Sequence, residues 1–332
     1  MNTKKRKILA KDIQRDHKLS EEVKIFLGDV NTRTLKRSKN QTVADERQEL
    51  NLMQSSVQFD FSGVDEMEKV IISEGHQIKL TLVRPSGNRS VLPAFIFLHG
   101  GGWITGNYQT HKRLVHDLVS RSGCVAIFVN YSLSPESVYP KALNESYAAL
   151  TWVHKNGAEI NVDGTNLAIV GNSSGGNLAT VTAMISSEKS GPEIKLQILL
   201  WPVVEAGSNQ KTSAKFGEGR YLTTLGLHGR FASYAPDKRL RRGRFVSPLN
   251  AKKKELQGLP PALILLAQSD LSRHAAQAYA RKLSNAGVPV TAVRYNGMIH
   301  DFGLFNALAD LPQTEAVINQ TAATLKQYLQ PV

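Results

Sequence analysis

Two glycine clusters, each directly after a strongly apolar run, constrain the fold of this chain more than any other feature. The sequence HGGGW at 99–103 follows LPAFIFL, and GNSSGG at 171–176 follows NLAIV. An apolar run that passes through a glycine-flanked serine into helix-forming residues is typical of a strand, a tight turn and a helix. Glycine, which has no Cβ, fits such a turn on both sides of the serine. Both clusters therefore predict loops at the ends of buried strands in an α/β sheet.

Continuous apolar runs from residue 92 onward, separated by helical segments, predict a mostly parallel sheet flanked by helices. Before them, residues 57–86 alternate apolar and polar side chains, which predicts an antiparallel hairpin at one edge. The apolar runs predict strands at 94–98, 124–129, 166–170, 197–201, 262–267 and 290–295. Helices are expected near 109–122, 142–157, 175–187, 274–286 and 313–329.

The chain of 332 residues is long enough for one substantial α/β domain with additional segments. We expect the catalytic domain to comprise residues 56–204 and 246–332. Residues 1–55 are polar and show patches of helical spacing, which predicts an N-terminal helical segment. Residues 205–245 are rich in Gly, Lys and Arg and show no clear strand. Together these two segments are predicted to form a cap over the carboxyl ends of the strands.

The composition argues against a membrane-spanning or exported protein. Hydrophobic residues make up 41% of the chain, and no stretch approaches the roughly eighteen apolar residues that a membrane span needs. The basic cluster at 4–7 is followed by an apolar run too short for a signal peptide. The single cysteine, Cys124, has no partner for an internal disulfide. We therefore expect a cytoplasmic protein.

The net charge of +13 is concentrated in two segments. Residues 1–40 and residues 237–254 each carry a balance of +7, so the remainder is close to neutral. Neither segment has the interleaved aromatic residues of a single-strand groove or a zinc-finger pattern. Solvated basic faces are the favoured interpretation, and no specific nucleic-acid partner is expected.

The glycine-flanked serine, Ser173, is the candidate nucleophile, and it needs a histidine to take its proton and a carboxylate to orient that histidine. With a serine in such a turn, the acid and then the histidine follow at the ends of later strands. His228 lies in the predicted insertion and His274 opens a predicted helix. His300 lies in a glycine-bounded loop after the last predicted strand, which favours it as the base.

Asp270, at the end of the run ALILLAQSD, is the candidate acid. Its rivals are Asp301, directly beside His300 in sequence, and Asp310, predicted on a following helix or loop. Asp270 could instead cap the helix after it. Its position one strand before His300 favours the catalytic role.

Backbone N–H groups of Gly101, Gly102 and Ser174 are expected to form an oxyanion hole, because glycine leaves the main chain open to a developing negative charge. His99 is predicted to anchor the glycine loop. Trp103 is predicted to line the acyl pocket, with a core position as the alternative. No metal and no cofactor are expected, since HExxH is absent and the other histidines lack ligand spacing.

From about residue 70 to 328 the chain resembles the hormone-sensitive-lipase-like branch of the α/β hydrolases, the bacterial carboxylesterases. The resemblance rests on HGGGW at 99–103, NYSLSPE at 130–136, GNSSGG at 171–176, Asp270 and His300. It implies an α/β-hydrolase fold with a cap built from the N-terminus and a mid-chain insertion. It also implies metal-independent hydrolysis of short-chain esters, with Ser173 as nucleophile, His300 as base and Asp270 as orienting acid.

The chain departs from this family pattern at three places. Asn172 stands where the family usually has aspartate, so one buried carboxylate is missing. Ser174 replaces an alanine and adds a hydroxyl next to the nucleophile. The acid loop, Asp-Pro-Leu-x-Asp in the family, reads DLSRH at 270–274, without the proline.

The predicted function is therefore a carboxylesterase that hydrolyses small esters through an acyl-enzyme. An amidase or deacetylase with the same triad is an alternative that the sequence leaves open. A second alternative is a weakly catalytic protein that binds small ligands on a hydrolase scaffold. The resemblance also leaves open a homodimer.

Overall fold

The computed structural model describes residues 12–36, 42–207 and 215–330. The basic cluster at 4–7 and the outer ends of the predicted segments 1–55 and 246–332 lie outside the described residues, as does part of the predicted insertion 205–245. None of the helices in the described ranges is long and apolar enough to cross a membrane.

The described residues contain an eight-stranded sheet with the order β1-β2-β4-β3-β5-β6-β7-β8. Its strands are β1 (Val64–Ser73), β2 (His76–Pro85), β3 (Leu92–Leu98), β4 (Val125–Asn130), β5 (Val162–Asn172), β6 (Leu196–Leu200), β7 (Ala262–Ala267) and β8 (Val290–Tyr295). Strands β3 to β8 are parallel to one another, whereas β2 pairs antiparallel with both β1 and β4. The predicted mostly parallel sheet and its antiparallel edge hairpin are confirmed.

Helices cover both faces of this sheet. They are α1 (Glu21–Lys36), α2 (Val43–Ser55), α3 (Tyr108–Ser122), α4 (Lys141–Asn156), α5 (Ser174–Glu188), α6 (Thr224–Tyr234), α7 (Lys253–Leu256), α8 (Arg273–Asn285) and α9 (Pro312–Leu329). Successive side chains of a strand point to opposite faces of the sheet, so each buried strand contributes side chains to two hydrophobic cores. Phe95 and Phe97 of β3 pack in one core with residues of α3 and α9. Ile96 and Leu98 pack in the other with residues of α4, α5 and α8.

The N-terminal segment contacts the part of the chain between β6 and β7. Asp16 forms an ion pair with Arg220 at 2.7 Å, and Glu46 of α2 forms one with Arg230 of α6 at 2.8 Å. Thr223 caps helix α6 by accepting the Gly226 N–H, and the helix buries Leu227, Phe231 and Tyr234. The two segments that the sequence assigns to a cap therefore touch each other.

Candidate active site

Ser173 occupies the tight turn between β5 and α5. Its φ of 54° lies in the left-handed region, which a serine adopts only when its surroundings enforce it. The turn is closed by glycine on both sides: a Cβ on Gly171 would overlap the Gly175 carbonyl, and one on Gly175 would overlap the Leu98 carbonyl. The Ser173 N–H donates to the Leu200 carbonyl at 2.9 Å, which fixes the turn to β6. These contacts hold the serine hydroxyl at the carboxyl edge of the sheet.

The two partner side chains reach this edge from later strands. Asp270 follows β7 and His300 follows β8, and parallel strands end on the same side of the sheet. Ser173 Oγ lies 2.7 Å from His300 Nε2, and His300 Nδ1 lies 2.8 Å from Asp270 Oδ2. All three side chains are buried. The structure therefore brings together the three residues that the sequence predicts as catalytic.

Ser272 holds the acid in place. Its N–H donates to Asp270 Oδ1 and its hydroxyl donates to Oδ2, both at 2.8 Å. Helix α8 begins one residue later, and Ser272 rather than Asp270 is its N-cap residue. The loop lacks the proline of the family pattern, and this serine turn fixes the carboxylate instead.

Two carboxylates surround the His300 imidazole. Burial disfavours a positive charge on the ring, but the Asp270 and Asp301 carboxylates outweigh it and raise the pKa of His300 above its usual value. Asp301 is itself buried, and its Oδ2 lies 3.8 Å from His300 Nε2. The imidazole is therefore placed where a proton from Ser173 would be stabilised.

The glycine loop at 99–103 lies directly against the turn that carries Ser173. Gly101 and Gly102 have φ values of 107° and 66°, which favour glycine. The N–H of Gly102 donates to Ser174 Oγ at 2.8 Å, and that of Trp103 donates to the same oxygen at 3.2 Å. The hydroxyl added at Ser174 thus joins the two loops. In this structure it also occupies the Gly102 N–H, one of the three predicted oxyanion donors.

His99 and Trp103 are both buried at the ends of this loop. The His99 ring stacks on Tyr131 with centroids 4.2 Å apart, its Nδ1 donates to the Gly100 carbonyl at 2.8 Å, and burial lowers its pKa to about 4. This packing is consistent with the predicted role of His99 as an anchor of the glycine loop. Trp103 stacks on Tyr234 at 4.3 Å, so the structure places it against α6 in the core.

From the sequence alone, Asp301 receives too little weight, and His111 and Arg47 are not identified. Asp301, considered only as a rival acid, lies on the Nε2 side of His300. His111 is fully buried, and its Nε2 accepts the Gly100 N–H at 3.3 Å. Arg47 of α2 donates to the Ile104 carbonyl at 2.8 Å and to both oxygens of Glu136. These contacts join residues far apart in sequence, so no local sequence pattern predicts them.

A cavity of about 440 Å³ is lined by Leu271, next to Asp270 in sequence, but not by Ser173, Asp270 or His300 themselves. Val203, whose N–H donates to the Ser173 carbonyl at 3.1 Å, lines it, as do Leu271 and Leu227 of α6. Glu205 also lines the cavity, and burial raises the pKa of its carboxyl. Trp103 is not among the lining residues.

Proteins of known activity resemble this chain in sequence and in structure. A family model described as the α/β-hydrolase fold matches residues 95–304. A thermostable esterase from Pseudomonas putida ECU1011 superposes with a TM-score of 0.93 and 43% identity, over 96% of this chain and 99% of that one. A fungal esterase from Rhizomucor miehei superposes with a TM-score of 0.87 and 34% identity, over 94% and 97% of the two chains. Carboxylesterase NlhH from Mycobacterium tuberculosis is 31% identical over 245 residues, 73% of this chain and 75% of its own.

Proposed function

The chain belongs to the hormone-sensitive-lipase-like family of α/β hydrolases, and on that premise we propose that it hydrolyses short-chain carboxylic esters through a triad of Ser173, His300 and Asp270. The α/β-hydrolase fold and a serine hydrolase that acts on carboxylic esters, both predicted from the sequence, are confirmed at the level of the family. The proposal depends on one observation above all. A continuous hydrogen-bonded line runs from Ser173 Oγ through both nitrogens of His300 to Asp270.

In the proposed reaction, Ser173 Oγ bonds to the ester carbonyl carbon while its proton moves to His300 Nε2. The tetrahedral intermediate then collapses, the bond to the alcohol oxygen breaks, and His300 gives its proton to that oxygen. Water attacks the acyl-enzyme by the same steps and releases the acid. Asp270 keeps the Nδ1–H of the imidazole pointed toward itself, which leaves Nε2 free to accept the serine proton.

The negative charge on the carbonyl oxygen would be received by backbone N–H groups of Gly101, Gly102 and Ser174. Ser174 opens helix α5, where the first N–H groups have no intrahelical acceptor. Because the Gly102 N–H also bonds the Ser174 hydroxyl, we propose that it shares its hydrogen between that oxygen and the oxyanion. Such donors are each worth about 10²–10³ in kcat.

We propose that the 440 Å³ cavity receives the apolar part of the ester. Leu227 lines it from helix α6, and the contacts between α6 and α2 support the proposed cap above the site. Leu227→Trp should shift the chain-length preference toward acetate. Leu225→Trp is the matched control, since Leu225 lies on the same helix but is 84% exposed. Equal shifts in both variants would contradict this assignment.

The principal experiment is hydrolysis of p-nitrophenyl acetate, butyrate, octanoate and palmitate by the wild type and by Ser173→Ala. We expect turnover to peak at the short chains and to fall by about 10⁶ in the variant. The matched control is Ser186→Ala, a buried serine whose hydroxyl donates to the Pro192 carbonyl away from this site. Activity retained in Ser173→Ala would contradict the proposal. Turnover of amides but not of esters would identify the amidase alternative, and no turnover of either would favour the binding protein.

We also propose a cytoplasmic location. Cys124 is fully buried, and burial raises the pKa of its thiol to about 11, which suits an inert core residue in a reducing compartment. Cell fractionation would test the location. Size-exclusion chromatography with light scattering would test the homodimer that the family resemblance leaves open.

A further inference from the structure

A second buried carboxylate lies beside the proposed base and takes no part in the triad. Asp301 is 3% exposed, and its Oδ2 lies 3.8 Å from His300 Nε2. Asp270 faces the opposite nitrogen, Nδ1, at 2.8 Å. The imidazole therefore lies between two carboxylates, one on the side of the acid and one on the side where the serine proton arrives.

The orientation of Asp301 is fixed by two donors. Its Oδ1 accepts the Asn172 amide at 3.0 Å and a short hydrogen bond from the Trp201 indole N–H. Asn172 cannot turn its amide around, because its own Oδ1 accepts the Gly100 N–H at 2.8 Å. With Oδ1 held in this way, Oδ2 is left on the side of His300. Burial raises the pKa of the Asp301 carboxyl, while the charge on His300 and the hydrogen bonds from Asn172 and Trp201 oppose that rise and favour the carboxylate.

The backbone at Asp301 is also unusual. Its φ of 59° lies in the left-handed region, which is uncommon for a residue with a Cβ. A buried carboxylate and an uncommon backbone conformation at the same residue persist only where the surroundings enforce them, which is typical of functional sites. Asn172 stands where the family pattern has aspartate, and Asp301 supplies a carboxylate within hydrogen-bond distance of that position.

We propose that Asp301 is a positioning residue that stabilises the positive charge of His300 while the histidine holds the proton of Ser173. This inference rests on the proposed role of His300 as the base. In the resting state the neutral imidazole gains little from Asp301. Once Nε2 carries a proton, the carboxylate 3.8 Å away attracts the new charge, so the interaction is strongest where the reaction needs it.

Other charged or titratable groups near this site keep their own partners. Arg113 of α3 donates to the Gly303 carbonyl and pairs with Asp117 at 2.9 Å. Burial lowers the pKa of His111 well below its usual value, so that ring is neutral. Among the described residues, the groups that face His300 or its two carboxylates are Ser173 on the turn, Asp270, Ser272 and Arg273 after β7, Asn172 at the end of β5, Trp201 after β6 and Asp301 on its own loop. Asp301→Asn therefore removes one charge and leaves the other charged groups of the site in place.

The test is the pH dependence of kcat/KM for p-nitrophenyl butyrate in the wild type, Asp301→Asn and Asp301→Gly. His300 must be neutral to accept a proton, so the rate rises as pH passes through its pKa. Removing a carboxylate that favours the charged ring lowers that pKa. In the pH profile of kcat/KM, we expect the acidic limb, where the rate rises with pH, to shift to lower pH by about one unit or more in both variants. The plateau value of kcat/KM should also be lower than in the wild type. Glycine suits the φ of 59°, so Asp301→Gly is the second variant to measure if Asp301→Asn does not fold.

Asp60→Asn removes a carboxylate from a surface turn and should leave the acidic limb unchanged. A limb that stays in place, or moves up, in folded Asp301→Asn or Asp301→Gly would overturn the inference. Ser173→Ala separates this result from failure of the proposed function. If Ser173→Ala is inactive while the limb of the Asp301 variants is unmoved, the triad stands and only the role of Asp301 is wrong. If Ser173→Ala is active, both proposals fail.

Discussion

Asp270→Asn should lower kcat by about 10⁴-fold, because the hydrogen bonds around residue 270 fix the orientation of the new amide and that orientation selects the wrong tautomer of His300. Asp270 Oδ1 accepts the Ser272 N–H at 2.8 Å, and Oδ2 accepts both the Ser272 hydroxyl and His300 Nδ1. The hydroxyl can rotate, but the backbone N–H cannot. The single oxygen of asparagine must therefore stay at the Oδ1 position, and its NH₂ group faces His300 Nδ1.

The opposite orientation would place the NH₂ group against the Ser272 N–H in a site that is 1% exposed. A buried donor without an acceptor costs about 1–3 kcal/mol, which favours the first orientation by about 5- to 150-fold. An imidazole that accepts a hydrogen bond at Nδ1 carries its own proton on Nε2. It cannot take the proton of Ser173, and this wrong tautomer is the cause of the expected loss.

The assay is kcat for p-nitrophenyl butyrate, with the fold checked by circular dichroism. Asp60→Asn is the matched control, because Asp60 accepts the N–H and the hydroxyl of Ser62 at 2.8 and 2.7 Å in the same kind of turn outside this site. Its kcat should equal that of the wild type. If folded Asp270→Asn kept more than about a tenth of the wild-type kcat, the tautomer reasoning would be refuted.

Three further substitutions test the surroundings of the site. Ser174→Ala leaves two N–H groups of the glycine loop without their acceptor. It should lower the free energy of unfolding, measured in urea, by about 1–3 kcal/mol. The control Ser186→Ala should lower it by about 1 kcal/mol. Arg113→Met breaks a buried ion pair and should cost about 3–5 kcal/mol in the same measurement; an unchanged urea midpoint would contradict this. Gly101→Ala forces a Cβ into the Thr105 carbonyl at a φ of 107° and should lower kcat by about 10²–10³. Wild-type kcat in folded Gly101→Ala would show that this loop takes no part in the reaction.

The sheet could be predicted from the sequence because its strands are buried on both faces. A strand of that kind must be apolar throughout, and the run ALILLA at 262–267 coincides with β7 residue for residue. The three candidate triad residues followed from local rules as well. A tight turn requires glycine around Ser173, and parallel strands bring Asp270 and His300 to the same edge of the sheet.

The surroundings of the triad could not be predicted, because they depend on contacts between loops. Sequence reasoning set Asp301 aside as too close to His300, but its left-handed φ turns the side chain to the far side of the imidazole. The sequence shows that Ser174 adds a hydroxyl beside the nucleophile, but not that this hydroxyl bonds two N–H groups of a loop about seventy residues away. Neither the backbone conformation nor the partner of a hydroxyl is encoded in the spacing of apolar residues.

The asparagine at position 172, where the family pattern has aspartate, is explained by its contact with Asp301. Asn172 and Asp301 share a hydrogen bond of 3.0 Å, so an aspartate at 172 would place two buried carboxylates in contact, and both could not ionise. Asn172→Asp should therefore raise a carboxyl pKa in the folded state above its unfolded value. The protein would then lose stability as pH rises through that pKa, and its urea midpoint should fall between pH 5 and pH 8 relative to the wild type. The exchange Asn172→Asp/Asp301→Asn returns the site to one carboxylate, so it should abolish the fall of the urea midpoint with pH. It should not restore the midpoint itself, because the Trp201 N–H shares Asp301 Oδ1 with the Asn172 amide and an asparagine at 301 cannot serve both. An exchanged variant whose midpoint still falls between pH 5 and pH 8 would mean that the two positions do not act as a pair.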